Sequence, residues 1–326
     1  MSDSSSLDRS ERIDLGTVLK GHLAIMRVDH WFKHVFAIPG LAVAFYFYPD
    51  KLSAFSWLKL VLGTMALCTV ASSYYTLNEA LDAATDRHHP EKCKRPVAAG
   101  IVKPAGAYLQ WLLLFAISTA IAFLVSAPFA WSCIALWLMG CLYNIRPIRT
   151  KDLPYLDVIS ESVNNPLRFL AGWFIADANF LPPLSLLLSY WMVGAFFMNL
   201  KRYAEYRHIG DPSRAAAYRK SFAHYTEERL LSATVFYASA AMLFLGAFIV
   251  RYKFELILSV PFLAAVMSSY FHLAQRKNSD VQNPEKLYRN PALLGYVALC
   301  ALVMLGCLSV ELPELRAWFE PQGAIP

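Results

Sequence analysis

The chain contains few charged residues for its length. Of its 326 residues only 17% are charged while 57% are hydrophobic, and the mean hydropathy is +0.38. This composition excludes an ordinary soluble domain and is typical of a protein with several membrane-spanning helices. The net charge of +6 suits an anionic membrane surface, and we expect no nucleic-acid partner.

Several motifs of soluble enzymes are missing. The six cysteines form no CxxC pair, and we interpret them as separate thiols, most of them in apolar segments. There is no HExxH zinc spacing, GxSxG elbow, Walker lysine loop or dinucleotide-binding glycine fingerprint. These absences argue against a zinc hydrolase, a serine hydrolase, a P-loop enzyme and a nicotinamide-dependent enzyme. We interpret the adjacent pair His88 and His89 as loop residues.

Long apolar segments make up most of the chain. We predict nine, at residues 33–49, 55–77, 105–125, 128–145, 156–178, 183–200, 230–250, 254–272 and 291–311. Each is long enough, at about 1.5 Å per residue, to cross the roughly 30 Å hydrocarbon core as a helix. Helices are expected because backbone polar groups need partners in lipid. The prediction is an all-α polytopic membrane protein with nine transmembrane helices.

The predicted organisation has three parts. Residues 1–23 are polar and lack the apolar core of a signal peptide, so we expect the first apolar segment to serve as the insertion signal. The nine-helix transmembrane domain covers residues 24–312, and residues 313–326 form a tail.

The basic residues lie mostly on one side of the predicted membrane. The N-terminal part and the loops after segments 2, 4, 6 and 8 hold 24 of the 30 lysines and arginines. The positive-inside rule makes this side cytoplasmic. The two long loops, 78–104 and 201–229, are on the same side, so we expect the active site to face the cytoplasm. We interpret most charges after residue 207 as a solvated amphipathic connector.

An acidic motif directly follows the second apolar segment. It reads Asn78-Glu79-Ala-Leu-Asp82-Ala-Ala-Thr-Asp86, and Lys92, Lys94 and Arg95 follow shortly after. Asn78, Asp82 and Asp86 recur every four residues, which places them on one face of a helix. Carboxylates gathered at a membrane edge require a cation, and oxygen ligands suit Mg²⁺ bridging to substrate phosphates. The motif therefore predicts a Mg²⁺–diphosphate site.

The fifth segment carries a polar stripe. Its members are Asp157, Glu161, Asn164, Asn165 and Arg168. Their helical spacing puts them on one face, where we expect them to line a wet cavity. The alternative is a hydrogen-bonded seam between helices.

Basic residues lie beside this stripe. Lys151 and Asp152 precede it, and Lys201, Arg202, Tyr203 and Glu205 follow the sixth segment. We predict that the cations among them, Lys151, Lys201 and Arg202, bind phosphate. Alternatively, Lys201 and Glu205 could form a simple helix ion pair. Lys33 follows Arg27 and Trp31 closely in the sequence. Two interpretations of Lys33 are equally supported: it binds phosphate, or it belongs to the belt of aromatic and basic residues at the membrane interface.

These motifs resemble the UbiA superfamily of intramembrane prenyltransferases, whose first motif is NDxxDxxxD at the cytoplasmic end of the second helix. The resemblance runs from about residue 27 to residue 306, and Glu79 stands where that family usually has Asp. Quinone and haem prenyltransferases carry a second DxxxD motif after helix 6, whereas this chain has Lys201-Arg202-Tyr203-Ala-Glu205. With Lys33, Lys151, Asp157 and Arg168, this pattern resembles the decaprenyl-phosphate phosphoribosyltransferase branch.

The resemblance implies a helical bundle with a central cavity open to the cytoplasm, in a bacterial inner membrane. It implies Mg²⁺-dependent transfer of phosphoribose from phosphoribosyl diphosphate (PRPP) to a polyprenyl (decaprenyl) phosphate, in cell-wall synthesis. The metal ligands would be Asn78, Glu79, Asp82 and Asp86. The catalytic residues would be Asp82, Asp86, Asp157 and Glu161. The substrate-binding residues would be Lys33, Asn78, Arg95, Lys151, Asn165, Arg168, Lys201, Arg202, Tyr203 and Glu205.

Two alternatives remain open from the sequence. One is a prenyltransferase that joins a prenyl diphosphate to an aromatic acceptor, and the other is a non-catalytic transporter or lipid-binding protein on the same bundle. The sequence also leaves open the acceptor length, the downstream glycan and the oligomeric state, homo-oligomers included. It does not decide whether Glu79 ligates the metal, or how Asp157 and Glu161 divide their roles.

Overall fold

The computed structural model describes residues 14–87, 92–176, 180–276, 279–282 and 290–319. Within these ranges all regular structure is helical. The α-helices are α1 Leu15–Ile25, α2 Ile38–Phe47, α3 Pro49–Ser53, α4 Trp57–Asp86, α5 Pro104–Val125, α6 Ala127–Asn144, α7 Leu156–Ser162, α8 Asn164–Ile175, α9 Leu184–Ile209, α10 Pro212–Tyr218, α11 Glu227–Tyr252, α12 Val260–Ala274, α13 Pro291–Ser309 and α14 Pro313–Ala317. The predicted all-α fold is confirmed. His88 and His89 lie outside the described residues.

Seven stretches of the described chain are long and apolar enough to cross a membrane. They are α4, α5, α6, α9, α11, the stretch Phe254–Ala274 that contains α12, and α13. The predicted count of nine is therefore not confirmed. Segments 33–49 and 156–178 are built from shorter pieces instead of one continuous helix.

Proline explains both interruptions. The first segment consists of a 3-10 helix, Val28–Ala37, followed by α2, which has Pro39 in its first turn. The fifth segment is divided at Val163 into α7 and α8, and Pro166 lies in the first turn of α8. Proline has no N–H to donate to the preceding turn, and its ring clashes with the carbonyl four residues earlier. The predicted polar stripe is therefore carried by two helices.

The two interrupted segments pack tightly against each other through glycine. A Cβ atom at Gly40 of α2 would overlap the backbone carbonyl of Phe169 in α8. A Cβ atom at Gly172 of α8 would likewise overlap the carbonyl of Ala37. Small residues permit this approach of backbones, which is common between helices in membranes. This contact fixes α8, and with it the polar residues that α8 carries.

α9 extends beyond its predicted end at residue 200. It continues to Ile209, so the predicted phosphate-binding group from Lys201 to Glu205 lies on a helix and not in a loop. Arg202 and Glu205 form an i,i+3 ion pair of 2.9 Å, which favours continuation of the helix. The helix ends at Gly210, whose φ of +68° is accessible to glycine without strain.

Candidate functional site

The acidic motif is helical over its whole length, at the end of α4. Asp82 forms ion pairs with Lys151, at 2.7 Å, and with Arg149, at 2.9 Å. Asp86, which is buried, pairs with Arg95 at 2.7 Å. Two carboxylates of the motif thus face basic side chains that two different loops bring to α4.

Glu79 behaves differently from its acidic neighbours. It is 4% exposed, and its Oε1 atom accepts a hydrogen bond from the backbone N–H of Val97 at 3.2 Å. Val97 is itself fully buried. Glu79 therefore fastens the loop after α4 to the helix, and its predicted role as a metal ligand stays a prediction.

Lys151 lies at the centre of an oxygen cluster. Its Nζ atom donates to Asp82 Oδ1 and Oδ2, at 2.7 and 2.9 Å, and to the side-chain carbonyls of Asn78, at 3.1 Å, and Asn144, at 2.9 Å. Burial lowers the pKa of Lys151 to about 8, and the neighbouring Asp82 opposes that shift. Lys151 therefore remains mainly a cation at neutral pH.

The loop that presents Lys151 has an unusual backbone. Lys151 sits in the 3-10 turn Thr150–Asp152, between Arg149 with a φ of +32° and Tyr155 with a φ of +64°. Positive φ is uncommon for residues other than glycine, and such conformations concentrate at functional sites. The turn is held by a contact of 2.7 Å between the hydroxyls of Thr150 and Ser160. The local strain supports a loop shaped to place Lys151.

Asp157 is the centre of a buried cluster. It is fully buried, and its carboxylate accepts from Tyr225 at 2.6 Å, Ser221 at 3.1 Å and Arg202 at 3.2 Å. Burial and the neighbouring Asp157 raise the pKa of Tyr225, so its hydroxyl stays protonated and donates. The cluster joins α7, α9 and the segment before α11. At Asp157 the polar stripe therefore forms a hydrogen-bonded contact between helices. A catalytic role for Asp157 stays a prediction.

The sequence predicts a solvated connector in the segment after α10. This prediction is wrong for the side of the segment that faces Asp157. Arg219 lies 3.5 Å from Asp157 and donates to the hydroxyl of Tyr143 at 3.3 Å. Ser221 is fully buried and Tyr225 is 2% exposed. The buried carboxylate of Asp157 requires donors, and this segment supplies them. Composition alone could not show which of its charges turn inward.

Arg168 is a buried guanidinium inside α8. It is 5% exposed, and it donates to the hydroxyl of Tyr74 at 3.0 Å and to Asn165 Oδ1 at 3.3 Å. Its Nε atom is buried with no hydrogen-bond partner, and no carboxylate of the described chain lies within ion-pair distance of it. Tyr74 was missed from sequence because a tyrosine within an apolar run carries no functional signal.

Glu161 lies among several cations. It is half-buried, and it interacts electrostatically with Arg168, Lys201 and Arg202. Lys33 lies close enough to Lys201 for the two charges to repel each other. Lys201 approaches Glu205 at 4.0 Å. We call this group the cationic region: Glu161 with the surrounding Lys33, Arg168, Lys201 and Arg202. The surroundings of Glu161 thus carry an excess of positive charge.

Tyr203 is not brought together with the other predicted residues. Its side chain is 3% exposed in an apolar core with Leu200 and Phe222, and its hydroxyl accepts from Arg207 at 3.2 Å. A cleft of about 480 Å³ lies elsewhere, between Tyr155 and the start of α11. None of the predicted site residues lines that cleft.

The two long loops contact each other. Lys92, from the loop after α4, lies 4.8 Å from the ring centre of Tyr218 at the end of α10. Such a contact is a cation–π interaction. The loops that carry Arg95 and Arg219 are therefore neighbours.

The fit of a divalent metal depends on the oxygen atoms of α4. Within the described ranges, no three Asp, Glu, His or Cys side chains are grouped so as to hold a metal ion. Carboxylate and amide oxygens of Asp82, Asn78 and Asn144 nevertheless converge within 3.1 Å of one ammonium. An all-oxygen set around a positive charge is the chemistry that Mg²⁺ prefers. These residues therefore fit a hard cation.

Comparison with known families gives the first direct identification. Residues 36–294 match the UbiA prenyltransferase family. The chain belongs to the UbiA prenyltransferase family. The match covers every helix from α2 to α12, and it includes the acidic motif and, apart from Lys33, the residues of the cationic region.

Relatives of this UbiA-family chain carry a more specific name. Proteins named decaprenyl-phosphate phosphoribosyltransferase are 29% identical over 232 residues in Corynebacterium glutamicum and 31% identical over 219 residues in Mycolicibacterium smegmatis. These alignments cover 67% and 65% of this chain, and 64% and 65% of the relatives. The chain thus spans just under two thirds of the length of these two relatives.

Solved structures show the same fold. A UbiA homologue from Archaeoglobus fulgidus bound to GPP and Mg²⁺ gives a TM-score of 0.67 at 21% identity, covering 89% of this chain and 100% of that one. A structure of digeranylgeranylglyceryl phosphate synthase gives 0.62 at 16% identity, covering 89% and 97%. At these identities the likeness concerns the fold of this UbiA-family protein.

Proposed function

We propose that this protein transfers phosphoribose from PRPP to a polyprenyl phosphate, with release of pyrophosphate and with Mg²⁺ as cofactor. The names of its curated relatives support decaprenyl phosphate as the acceptor. The basic loops support an active site on the cytoplasmic face of a bacterial inner membrane.

The presence of two charged regions carries this proposal. One is the end of α4, where Asp82 and Asp86 meet Lys151 and Arg95. The other is the cationic region around Glu161, where Arg168 has a buried Nε atom without a hydrogen-bond partner in the described chain and interacts with Glu161 only electrostatically. A buried guanidinium that makes no direct contact with a carboxylate is costly inside a membrane, and this favours an anionic ligand for Arg168.

The number of anionic groups distinguishes the candidate reactions. A prenyl diphosphate and a neutral aromatic acceptor bring one diphosphate, which the first region alone could bind. PRPP brings a diphosphate and a 5-phosphate, and a polyprenyl phosphate brings a third anionic group. Arginine and lysine in two regions match the larger number of phosphates.

The end of α4 is the proposed site of the donor diphosphate. Asn78, Asp82 and Asp86 would hold Mg²⁺, which would neutralise charge on the leaving diphosphate. Arg95 and Lys151, already within hydrogen-bond distance of those carboxylates, would contact diphosphate oxygens directly. Their charges would favour departure of pyrophosphate with the electron pair of the broken bond.

The acceptor phosphate would attack the anomeric carbon from the opposite face and invert its configuration. A new bond forms from that carbon to a phosphate oxygen, while the bond to the diphosphate oxygen breaks. The acceptor phosphate is ionised at neutral pH, so no general base is required. Glu161, the carboxylate of the cationic region, would stabilise positive charge that develops on the ribose ring.

A second candidate is the UbiA-type prenyltransferase, favoured by one observation. The solved homologue with the same fold holds GPP and Mg²⁺. That reaction would use the acidic motif in the same way but would leave the cationic region without an anionic ligand. A transporter on the same bundle would move its lipid without forming a covalent product.

Donor competition tests the proposal. Purified protein in nanodiscs is supplied with Mg²⁺ and decaprenyl phosphate, and pyrophosphate release is followed with PRPP or geranyl diphosphate as the donor. We expect release with PRPP only, and no inhibition by an equal concentration of geranyl diphosphate. Release with geranyl diphosphate and an aromatic acceptor, but not with PRPP, would support the prenyltransferase instead.

A further inference from the structure

The ammonium group of Lys151 binds oxygen atoms of Asn78 and Asp82, two of the three residues that would hold the proposed metal. Its four contacts reach both oxygens of Asp82 and the amide oxygens of Asn78 and Asn144, all within 3.1 Å. Lys151 is 7% exposed, so these contacts are largely shielded from water. A protein cation with few alternatives is therefore already bound to the oxygen cluster.

The neighbouring carboxylates are engaged in the same way. Arg149 donates to Asp82 Oδ1 at 2.9 Å, and Arg95 donates to Asp86 Oδ2 at 2.7 Å. Both aspartates are well shielded, with side chains 20% and 6% exposed. A divalent ion that arrives alone must displace at least the ammonium and leave it buried with no counter-charge. Leaving one partner of a buried pair uncompensated is strongly unfavourable.

A diphosphate removes that cost. Its oxygens accept hydrogen bonds from ammonium and guanidinium groups, so Lys151 would exchange carboxylate oxygens for phosphate oxygens and keep its charge compensated. The turn that carries Lys151 is fixed by the Thr150–Ser160 contact and by a 3.2 Å ion pair between Arg149 and Asp152. The exchange therefore requires only rotation about the flexible lysine stem.

We propose that Lys151 acts as an internal counter-ion that keeps a free divalent ion out of the oxygen cluster, so that metal and diphosphate bind together. This inference rests on the proposed function, because it takes the end of α4 as the metal–diphosphate site. It makes Lys151 a positioning residue that couples metal binding to donor binding. A ligand that binds only after another group is displaced has its binding free energy reduced by the free-energy cost of that displacement.

Metal binding without substrate tests the inference. The full-length protein is purified, stripped of metal with EDTA and titrated with Mn²⁺, with free Mn²⁺ followed by electron paramagnetic resonance. We expect Lys151→Met and Lys151→Gln to bind Mn²⁺ about tenfold more tightly than wild type, because the competing cation is gone. Unchanged or weaker binding by the folded variants would overturn the inference.

A matched control separates direct competition from the general loss of one positive charge. Lys220 lies 3.8 Å from Asp152, is 69% exposed and makes no contact with the oxygen cluster. Lys220→Gln removes the same charge from the neighbouring segment, and we expect its Mn²⁺ affinity to match wild type. An equal gain in Mn²⁺ affinity in Lys220→Gln would show that the gain comes from the loss of a positive charge anywhere nearby. That result would overturn the inference.

Inorganic pyrophosphate provides the second measurement. Pyrophosphate chelates Mn²⁺ by itself, so the Mn²⁺ that it holds in a matched protein-free titration is subtracted. After this subtraction we expect pyrophosphate to increase the Mn²⁺ affinity of wild type by about tenfold, and to increase that of Lys151→Met much less. If neither variant folds, wild type alone decides, since Mn²⁺ bound as tightly without pyrophosphate as with it contradicts the inference. Neither PRPP nor lipid is present, so this result is independent of the transfer assay.

Discussion

Arg168 in α8 donates a hydrogen bond of 3.0 Å to the hydroxyl of Tyr74 in α4, and both side chains are buried. The contact joins the helix of the cationic region to the helix of the acidic motif. Tyr74 is itself held by close packing against Gly140 of α6, where an added Cβ would meet its side chain. The position of the guanidinium therefore depends on three helices.

Removal of the tyrosine hydroxyl should misplace this guanidinium. In Tyr74→Phe we expect the KM for the anionic substrates to rise about tenfold with a smaller change in kcat, because a hydrogen bond to a charged group contributes roughly 1.5–3 kcal/mol. Steady-state kinetics with each substrate varied would measure it. Tyr270→Phe, which removes a buried hydroxyl in another core cluster, is the matched control and should leave KM unchanged. An unchanged KM in Tyr74→Phe would show that the Tyr74 hydroxyl does not position Arg168 for substrate binding.

Glu161 is expected to affect the chemical step and not the binding of donor. In Glu161→Gln we expect kcat to fall about 100-fold, the scale of a lost charge-stabilising group. The KM for PRPP should stay the same or decrease, since a negative charge near the phosphates is removed. Glu228→Gln at the exposed start of α11 is the control. A raised KM with unchanged kcat would instead assign Glu161 to binding.

Substitution of Asp157 distinguishes a structural role of this carboxylate from a catalytic role. Because Asp157→Asn leaves the buried Arg202 with a weaker partner, we expect a loss of about 3–5 kcal/mol in the free energy of unfolding. Tyr225→Phe, which removes one donor to the same carboxylate, should lose roughly 1–3 kcal/mol. Thermal unfolding in detergent measures both. If Asp157→Asn keeps the wild-type Tm yet loses turnover, then Asp157 acts on the substrate.

The contact between α2 and α8 should be intolerant of any side chain. In Gly172→Ala the new methyl group meets the carbonyl of Ala37, and in Gly40→Ala it meets that of Phe169. We expect each change to cost at least about 1–3 kcal/mol, because backbone must move to make room. Gly246→Ala and Gly306→Ala are controls, since nothing lies within 4 Å of an added Cβ at either position. Equal thermal stability of both pairs would contradict the account of this packing.

Much of the fold follows from the sequence, because hydropathy reports how long an apolar segment is. It does not report interruptions, and for this reason segments 33–49 and 156–178 were predicted as continuous spans. Pro39 and Pro166 were the available signals of a break. The last residues of α9 were not predicted as helix, because hydropathy marks the end of an apolar segment and not the end of a helix. Charged residues such as Lys201 and Arg202 therefore indicate a loop when only hydropathy is considered.

The candidate site was predictable in its residue types more than in its contacts. The four-residue spacing of Asn78, Asp82 and Asp86 correctly indicated a helix. Nothing in the sequence showed that Lys151 would lie among the α4 oxygens, or that Arg219 would turn toward Asp157, because both arise from loops folding over the bundle. Such long-range contacts depend on backbone geometry that local patterns do not encode.

The mass of the lipid product tests the central claim most directly. Purified wild-type protein is incubated with Mg²⁺, PRPP and decaprenyl phosphate, and the extracted lipid is analysed by mass spectrometry alongside Asp82→Asn and Asp86→Asn. We predict a decaprenyl phosphate that has gained one phosphoribosyl group in wild type, and none in either folded variant or with EDTA. Unmodified decaprenyl phosphate in wild type, or full product in both variants, would contradict the account.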